Sequence, residues 1–434
     1  MSELQAERAT PQAGTAAAPR GRPAAWLTAQ LREPYVKLLA SQVLTGGVAL
    51  AANVLMVRAL SPSGRGEVAL ILQVVYLATQ VLLLGTERSF VASYHAVTPA
   101  AAVRAYARLL VVPGGLTLAV AAGFAVLAPD RLDPGTLIIA LIVGYAAAEA
   151  TSLATRAIAI CVGRVRDFLY ARIIESLLLL ALLVTLFVAG ATHPAVWILA
   201  YLISGAVPTL AYLIVWLRLP APAAPPLAHN RTVRREGLAL FPAALSNMAM
   251  LRADRLALPV LASTSALGLY AAVATMTELL AWPLRAYADS RLGKWRATHR
   301  EGALDTRPIV TAAAVYCLVV APLAAGALYL LIVPLFGAQY APAKVVVLPL
   351  VAAAGLYAVS RISLGLLIAR GHSALVSAAE ITGFAISFAA YLLLIPPYGI
   401  LGAAYGSLLG YGSCLLFALV ASRLTRDRAG REPA

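Results

Sequence analysis

The sequence predicts an all-α, polytopic membrane protein with about twelve transmembrane helices, and three observations predict this fold class. Of the 434 residues, 61% are hydrophobic and 12% are charged, whereas a soluble domain is about 45–50% apolar and about 25% charged. Apolar stretches long enough to cross about 30 Å of hydrocarbon, which takes roughly 20 residues of helix, recur along the chain. Short segments containing Pro, Gly and Arg separate these stretches. Helices that span a membrane account for all three observations.

The elements follow one another in two similar halves. Residues 1–36 are rich in Ala, Pro, Arg and Gln and lack the apolar core of a signal peptide, so we expect a disordered cytoplasmic tail. Six spans form an N-terminal half at 37–217, and a Pro-rich cytoplasmic linker follows at 218–236. Six more spans form a C-terminal half at 237–422, and residues 423–434 form a second cytoplasmic tail. In chain order, the predicted spans cover residues 37–59, 68–94, 105–128, 135–160, 169–190, 194–217, 237–261, 268–290, 308–333, 343–369, 373–395 and 400–422.

The distribution of basic residues predicts the orientation of these spans. Lys and Arg near span ends accumulate on the cytoplasmic side of a membrane. If the amino terminus is inside, most of the 34 Lys and Arg residues fall in inner segments and few fall in outer loops. An even number of spans puts both termini on one side. We therefore expect a multi-pass protein of the bacterial inner (plasma) membrane with both termini in the cytoplasm.

The net charge of +15 does not indicate a nucleic-acid partner. Nucleic-acid binding needs basic residues gathered on one soluble face, whereas here they lie in loops between apolar runs. The three cysteines, Cys161, Cys317 and Cys414, lack CxxC spacing, and the histidines lack ligand spacing. We therefore expect neither a disulfide framework nor a metal site.

The two halves repeat one another in sequence. Gly66 follows the first span of the N-terminal half, and Gly268 lies at the corresponding place after the seventh span. Because each half contains an even number of spans, the halves have the same orientation. They are then related by an axis along the membrane normal, as parallel repeats in transporters are.

The turns between spans carry short motifs that several exporters share. In this sequence the motifs are Val57–Pro62 with Gly64–Glu67, Arg255-Leu256 with Leu267–Tyr270, and Leu335–Gly337 with Tyr340. With these motifs the chain resembles the O-antigen and teichoic-acid flippases of the polysaccharide transporter family. That family belongs to the multidrug/oligosaccharidyl-lipid/polysaccharide exporter superfamily.

The resemblance implies a MATE-like, V-shaped pair of six-helix bundles with a central cavity that opens alternately to either side. Spans one, two, seven and eight would line the cavity. The implied substrate is a polyprenyl-pyrophosphate-linked oligosaccharide, moved to the outer leaflet for cell-surface polysaccharide export. The implied protein is not an enzyme, has no cofactor, and works as a monomer among membrane lipids. A polysaccharide polymerase or glycosyltransferases are candidate partners.

Ionisable side chains inside a span are functional candidates because the membrane makes them costly. Span seven places Arg252, Asp254 and Arg255 within one turn, and Glu278 of span eight lies at a similar depth. In one interpretation Arg252 or Arg255 binds a phosphate or an acidic sugar, since guanidinium matches phosphate geometry. In the other, Asp254 and Glu278 neutralise both arginines and brace the two helices.

Three further residues have two interpretations each. Arg88 either meets a pyrophosphate that enters from the inner leaflet or snorkels to the interface as an anchor. Asn53 either binds sugar hydroxyls or holds helices together. Glu149, near the bilayer midplane, either binds a coupling ion or stays protonated in a packed interface. With Glu278 and Asp254 it forms our set of candidates for a coupling proton or sodium ion.

A repeated pair of opposite charges predicts structural ion pairs. Arg156 and Glu175 lie on neighbouring spans of the first half, and Arg361 and Glu380 lie at corresponding places in the second. Because the pattern occurs in both halves, we expect each pair to brace the fold.

Two other classes of protein remain open at this stage. A drug or cation antiporter of the same superfamily would need unpaired acidic residues facing an apolar cavity. A membrane polysaccharide polymerase, ligase or glycosyltransferase would need a sizeable loop outside the membrane, and the predicted outer loops are short. We rank the enzyme third.

Overall fold

The computed structural model describes residues 34–94, 98–127, 135–219 and 228–429, and these ranges contain helices and no strand. The predicted tail at 1–36 and the end of the predicted tail at 423–434 lie largely outside them, as do the middle residues of the predicted linker. The helices are α1 Pro34–Ala59, α2 Pro62–Leu83, α3 Thr86–Ser93, α4 Pro99–Leu127, α5 Gly135–Cys161, α6 Val165–Val188, α7 Pro194–Arg218, α8 Ala228–Leu261, α9 Thr264–Glu278, α10 Trp282–Arg300, α11 Arg307–Phe336, α12 Val347–Ala369, α13 Ser373–Tyr398 and α14 Ile400–Ala429.

Every predicted span is helical. Helices α2 and α3 form the second span, interrupted at Leu84 and Gly85, which both have positive φ. Helices α9 and α10 form the eighth, joined by a 3₁₀ turn at Leu279–Ala281. Within the described ranges, ten helical segments are long and apolar enough to cross a membrane. Helices α1 and α8 are not among these ten, and the part of α1 whose side chains are described, Gly46–Ala59, forms a shorter apolar helix. The predicted all-α fold of about twelve spans is confirmed.

The turn motifs start equivalent helices in the two halves. Ser61 caps α2, where its hydroxyl accepts a hydrogen bond from the Gly64 amide at 3.2 Å. Pro62 follows at the first position of the helix, where a missing amide costs nothing. Ser263 caps α9 in the same way, and it accepts from the Ala266 amide at 3.0 Å. A serine at this position satisfies an amide that the helix leaves free.

Each half packs around its own apolar side chains. Large buried residues of the first half include Trp197 and Trp216, and those of the second include Tyr391. Helices α13 and α14 approach most closely where glycines replace larger residues. A Cβ at Gly406 would overlap the Tyr391 ring, and one at Gly410 would overlap the Ser387 hydroxyl. Small residues of this kind let helices in membranes pack backbone to backbone.

The segment before Gly237 joins the first half. Residues 228–236, which we expected in the linker, form the first turns of α8. Ser89 donates a hydrogen bond to the Val233 carbonyl at 2.9 Å. The Asn230 amide donates to the Ala105 carbonyl at 3.1 Å. Helix α8 therefore begins on the N-terminal half and ends in the C-terminal half.

The halves meet tightly at one end of the molecule, which we call the outer seam and define by Gly66, Gly268, Asn53, Arg58 and Arg65. It lies at the end predicted to face out of the cell. Helix α2 packs along α9 there. A Cβ at either glycine would overlap a backbone carbonyl of the opposite half. The repeat that the sequence shows thus becomes a direct backbone contact between the halves.

Candidate substrate cavity

A cavity of about 590 Å³ lies between the two halves. Helices α5 and α6 form one wall, and α8, α9, α10, α12 and α14 form the other. Ile160 and Val165 line it beside the turn that joins α5 to α6, and both are exposed. We call this end, which is predicted to face the cytoplasm, the inner mouth. The outer seam is packed shut and the inner mouth is exposed, so the cavity opens at the end that is predicted to face the cytoplasm.

Positive charge exceeds negative charge on the cavity wall. Five arginines and three carboxylates line it, and because Glu175 outside the lining pairs with Arg172, an excess of one positive charge remains. The arginines are Arg156, Arg172, Arg252, Arg255 and Arg285, and the carboxylates are Asp254, Glu278 and Asp289.

The charges predicted in span seven meet a single carboxylate. Arg252 Nη1 donates to Glu278 Oε1 at 3.3 Å, and Arg255 Nη2 donates to the same oxygen. Arg252 also lies over the ring of Tyr76 on α2, 5.2 Å from its centroid, in an attractive cation–π contact. Two guanidinium groups therefore share the Glu278 carboxylate, and the Asp254 carboxylate also acts on Arg255, so the formal charges of these four residues sum to zero. Both interpretations of Arg252 and Arg255 are partly correct. A carboxylate pairs with the two arginines, as the bracing interpretation predicts, and both arginines line the cavity, as the binding interpretation requires.

Asp254 belongs to a separate hydrogen-bond chain. Its carboxylate accepts from the Tyr270 hydroxyl at 2.6 Å and from the Arg255 amide at 2.8 Å. Tyr270 lies 3.3 Å from the Ser407 hydroxyl, which in turn lies 3.0 Å from the Tyr391 hydroxyl. All of these groups are buried. The chain ties α8 to α9, α13 and α14 within the C-terminal half.

The predicted ion pair between Arg156 and Glu175 is wrong. Arg172 Nη1 donates to both carboxylate oxygens of Glu175, at 2.8 and 2.9 Å. Arg156 is exposed on the cavity wall, and it makes no ion pair or hydrogen bond with any described residue. Glu149 is partly buried on α5 outside the cavity lining, and Arg172 is the charged side chain that acts on it.

The second predicted ion pair is present. Arg361 Nη1 donates to Glu380 Oε1 at 2.8 Å, and this contact joins α12 to α13. Neither residue lines the cavity.

Asn53 does not line the cavity either. It is 1% exposed, its Nδ2 donates to the Ala272 carbonyl at 2.9 Å, and its Oδ1 accepts from Arg65 at 2.9 Å. In this conformation Asn53 therefore holds helices together, which is the second of its two interpretations. The side chain of Arg88 lies outside the described residues, so its predicted role stays a prediction.

Three charged cavity residues, Arg172, Arg285 and Asp289, were not assigned to a site from the sequence. Arg285 lies on α10, is exposed, and makes no ion pair with any described residue, although it acts electrostatically on Glu278. Its position near the inner end of a span made it resemble an ordinary interfacial arginine. Helical spacing offered a better signal, because Glu278, Arg285 and Asp289 fall on one face of a helix. Arg156 and Arg285 thus place one unpaired cation on each half at the inner mouth.

No family model and no curated protein sequence matches the chain. Solved structures are similar in fold. A multidrug resistance MATE family transporter of the MOP superfamily, in an inward-facing conformation, has a TM-score of 0.66 at 16% identity, over 91% of this chain and 96% of that one. The lipid II flippase MurJ, in an inward closed conformation, has a TM-score of 0.57 at 12% identity, over 89% and 87%.

A third solved structure is a MOP superfamily transporter from Pyrococcus furiosus. Its TM-score is 0.54 at 14% identity, over 92% of this chain and 97% of that one. Its description says that the reverse polarity of its binding pocket suggests a different function. These likenesses show the MATE-like fold. The function has to be argued from the charges in the cavity.

Proposed function

We propose that this chain is a flippase that moves polyprenyl-pyrophosphate-linked oligosaccharides from the inner to the outer leaflet of the bacterial plasma membrane. One observation carries the proposal: the cavity lining has an excess of arginine, and on each half one of these arginines makes no ion pair with any described residue. Guanidinium groups bind phosphate oxygens with two parallel hydrogen bonds, which makes arginine suited to a pyrophosphate. A cavity for a cationic drug would have the opposite balance of charge.

The geometry supports a binding step that acts on both halves. Arg156 projects from α5 of the first half and Arg285 from α10 of the second. A pyrophosphate between them pairs with both and removes the repulsion that these like charges exert across the inner mouth. The halves then close around the anion at this end, and the glycan follows it into the cavity while the lipid tail stays in the bilayer.

The drug or cation antiporter remains the alternative, since the structural neighbours include a multidrug transporter. The carboxylates deepest in this cavity are already engaged. Glu278 accepts from two arginines, and Asp254 accepts from Tyr270 and a backbone amide. We propose that Asp254, with its hydroxyl neighbours, is the better candidate for a coupling proton or sodium ion. Glu149 lies outside the lining and is the weaker candidate.

A transport assay separates these proposals. Purified protein in vesicles receives a fluorescent polyprenyl-pyrophosphate oligosaccharide, and a membrane-impermeant reagent reports which leaflet holds it. Empty vesicles and the double variant Arg156→Gln/Arg285→Gln serve as controls. We expect flipping that depends on the protein and is lost in the double variant. Efflux of an organic cation without movement of the glycolipid would instead support the antiporter.

A further inference from the structure

Three buried polar atoms at the outer seam have no hydrogen-bond partner among the described residues. They are Nε and Nη1 of Arg65 and the hydroxyl of Tyr340. Arg65 is 3% exposed and Tyr340 is fully buried. Arg65 comes from the N-terminal half and Tyr340 from the C-terminal half, and the two side chains are close enough to act on one another electrostatically. Orphaned polar atoms are rare in folded proteins, so this cluster calls for an explanation.

The groups around Arg65 do not balance its charge. Tyr201 approaches from α7, Tyr340 from the 3₁₀ helix Ala338–Val346 that precedes α12, and Arg255, a second cation, from α8. Among the described residues the Arg65 side chain makes one hydrogen bond, from Nη2 to the carbonyl oxygen of the Asn53 side chain at 2.9 Å. No carboxylate of a described residue forms an ion pair with it. A buried charge without a counter-charge is costly, so the closed seam holds Arg65 in an unfavourable state.

Opening the outer seam exposes this cluster. Arg65 adjoins Gly66, whose backbone packs against Thr264 of the other half. The Asn53 amide that donates to the Ala272 carbonyl is part of the same contact. Separating α2 from α9 would therefore remove contacts that bury Arg65. Neither Arg65 nor Tyr340 lines the cavity that opens at the inner mouth.

We propose that Arg65 and Tyr340 form a second oxyanion site, which opens to the outside with the outer seam and binds the phosphate groups of the substrate as it leaves. The free Nε–H and Nη1–H groups of Arg65 can each donate to an anionic oxygen, and the tyrosine hydroxyl can donate to another. That the oxyanion belongs to a glycolipid rests on the proposed function. Binding of a phosphate-type anion rests only on the geometry of the seam.

The test uses the full-length protein in nanodiscs with the seam held open. In the Gly268→Ala variant, the added Cβ overlaps the Pro62 carbonyl and separates the helices, and Gly268→Trp provides a second background with a larger wedge. Inorganic pyrophosphate is titrated by calorimetry. We expect these variants to bind pyrophosphate at a site that Arg65→Gln weakens at least tenfold and that Tyr340→Phe weakens severalfold.

Controls separate the two anion sites. The inner pair, Arg156→Gln/Arg285→Gln, should leave binding at the open seam unchanged, and Arg166→Gln, which removes an exposed arginine outside both sites, should leave all binding unchanged. If the double variant Arg156→Gln/Arg285→Gln binds pyrophosphate as tightly as the parent protein, while Arg65→Gln still weakens binding in the opened variants, the proposed function fails and the outer site stands. If Arg65→Gln leaves binding in both opened variants intact, the outer site is overturned.

Thermal unfolding gives an independent measure. A neutral glutamine in place of a buried, unbalanced arginine should leave the melting temperature of the parent protein unchanged or raise it. If Arg65 instead braces the seam, Arg65→Gln lowers the melting temperature by several degrees, and that outcome also overturns the proposal.

Discussion

Replacing the two unpaired arginines at the inner mouth should weaken anion binding by a predictable amount. A hydrogen bond to a charged group contributes about 1.5–3 kcal/mol. Arg156 and Arg285 are exposed, so solvent screens part of the attraction and the lower end, about 1.5 kcal/mol each, applies. Each change to glutamine should therefore raise the Kd for pyrophosphate about tenfold. Because both residues pair with the same anion, their effects need not add, and the double variant should lose between about tenfold and about a hundredfold.

The assay is calorimetric titration of inorganic pyrophosphate into the purified protein at fixed, low ionic strength. Arg166→Gln is the matched control, because Arg166 is also exposed near the inner mouth but does not line the cavity. Raising the salt concentration should weaken binding by the parent protein more than binding by the double variant. A double variant whose Kd stays within threefold of the parent would refute the assignment of these arginines.

Three further predictions concern the framework around the cavity. Glu380→Gln should lower the melting temperature markedly, since leaving Arg361 without its partner in this largely buried pair costs about 3–5 kcal/mol. Replacing both residues with methionine should recover much of this loss of stability. Gly268→Ala should increase labelling of outer-seam residues by a membrane-impermeant reagent in vesicles. Arg58→Gln should also increase this labelling, but by less. Arg58 donates to the last carbonyls of α11 across the seam, and this exposed contact contributes only about 1 kcal/mol. Unchanged labelling would show that the Arg58 contact does not hold the seam closed.

The all-α fold could be predicted from the sequence because a chain inside a lipid bilayer can adopt few kinds of backbone structure. Backbone amides and carbonyls inside a bilayer have to bond within their own segment, which restricts a spanning chain of this composition to helices. The turn residues then mark where helices begin. Ser61 and Ser263 cap α2 and α9 as serines commonly do. Gly66 and Gly268 were visible as a repeat, but their direct contact across the two halves required the structure.

The incorrect prediction of an ion pair between Arg156 and Glu175 shows that a sequence repeat does not guarantee the same contacts in both halves. Arg172 lies three residues before Glu175 on α6, so the two side chains meet on one helix face without help from another helix. The corresponding position in the second half is Ser377, which has no charge. Glu380 therefore pairs across helices with Arg361. In the first half Glu175 therefore pairs with Arg172 of its own helix instead of with Arg156, and Arg156 lines the cavity.

The unbalanced charges at the two ends of the molecule favour the same transition. In the proposed function, an anion that pairs with both Arg156 and Arg285 links the two halves at the inner mouth and favours closure there. At the outer seam, the burial of Arg65 disfavours the closed state, so its opening is favourable once the inner end has closed. One bound pyrophosphate that leaves the inner pair for Arg65 and Tyr340 would thus follow a path of positive charge from one leaflet to the other. The order of these steps is set by access, because the structure exposes the inner pair while it buries the outer one.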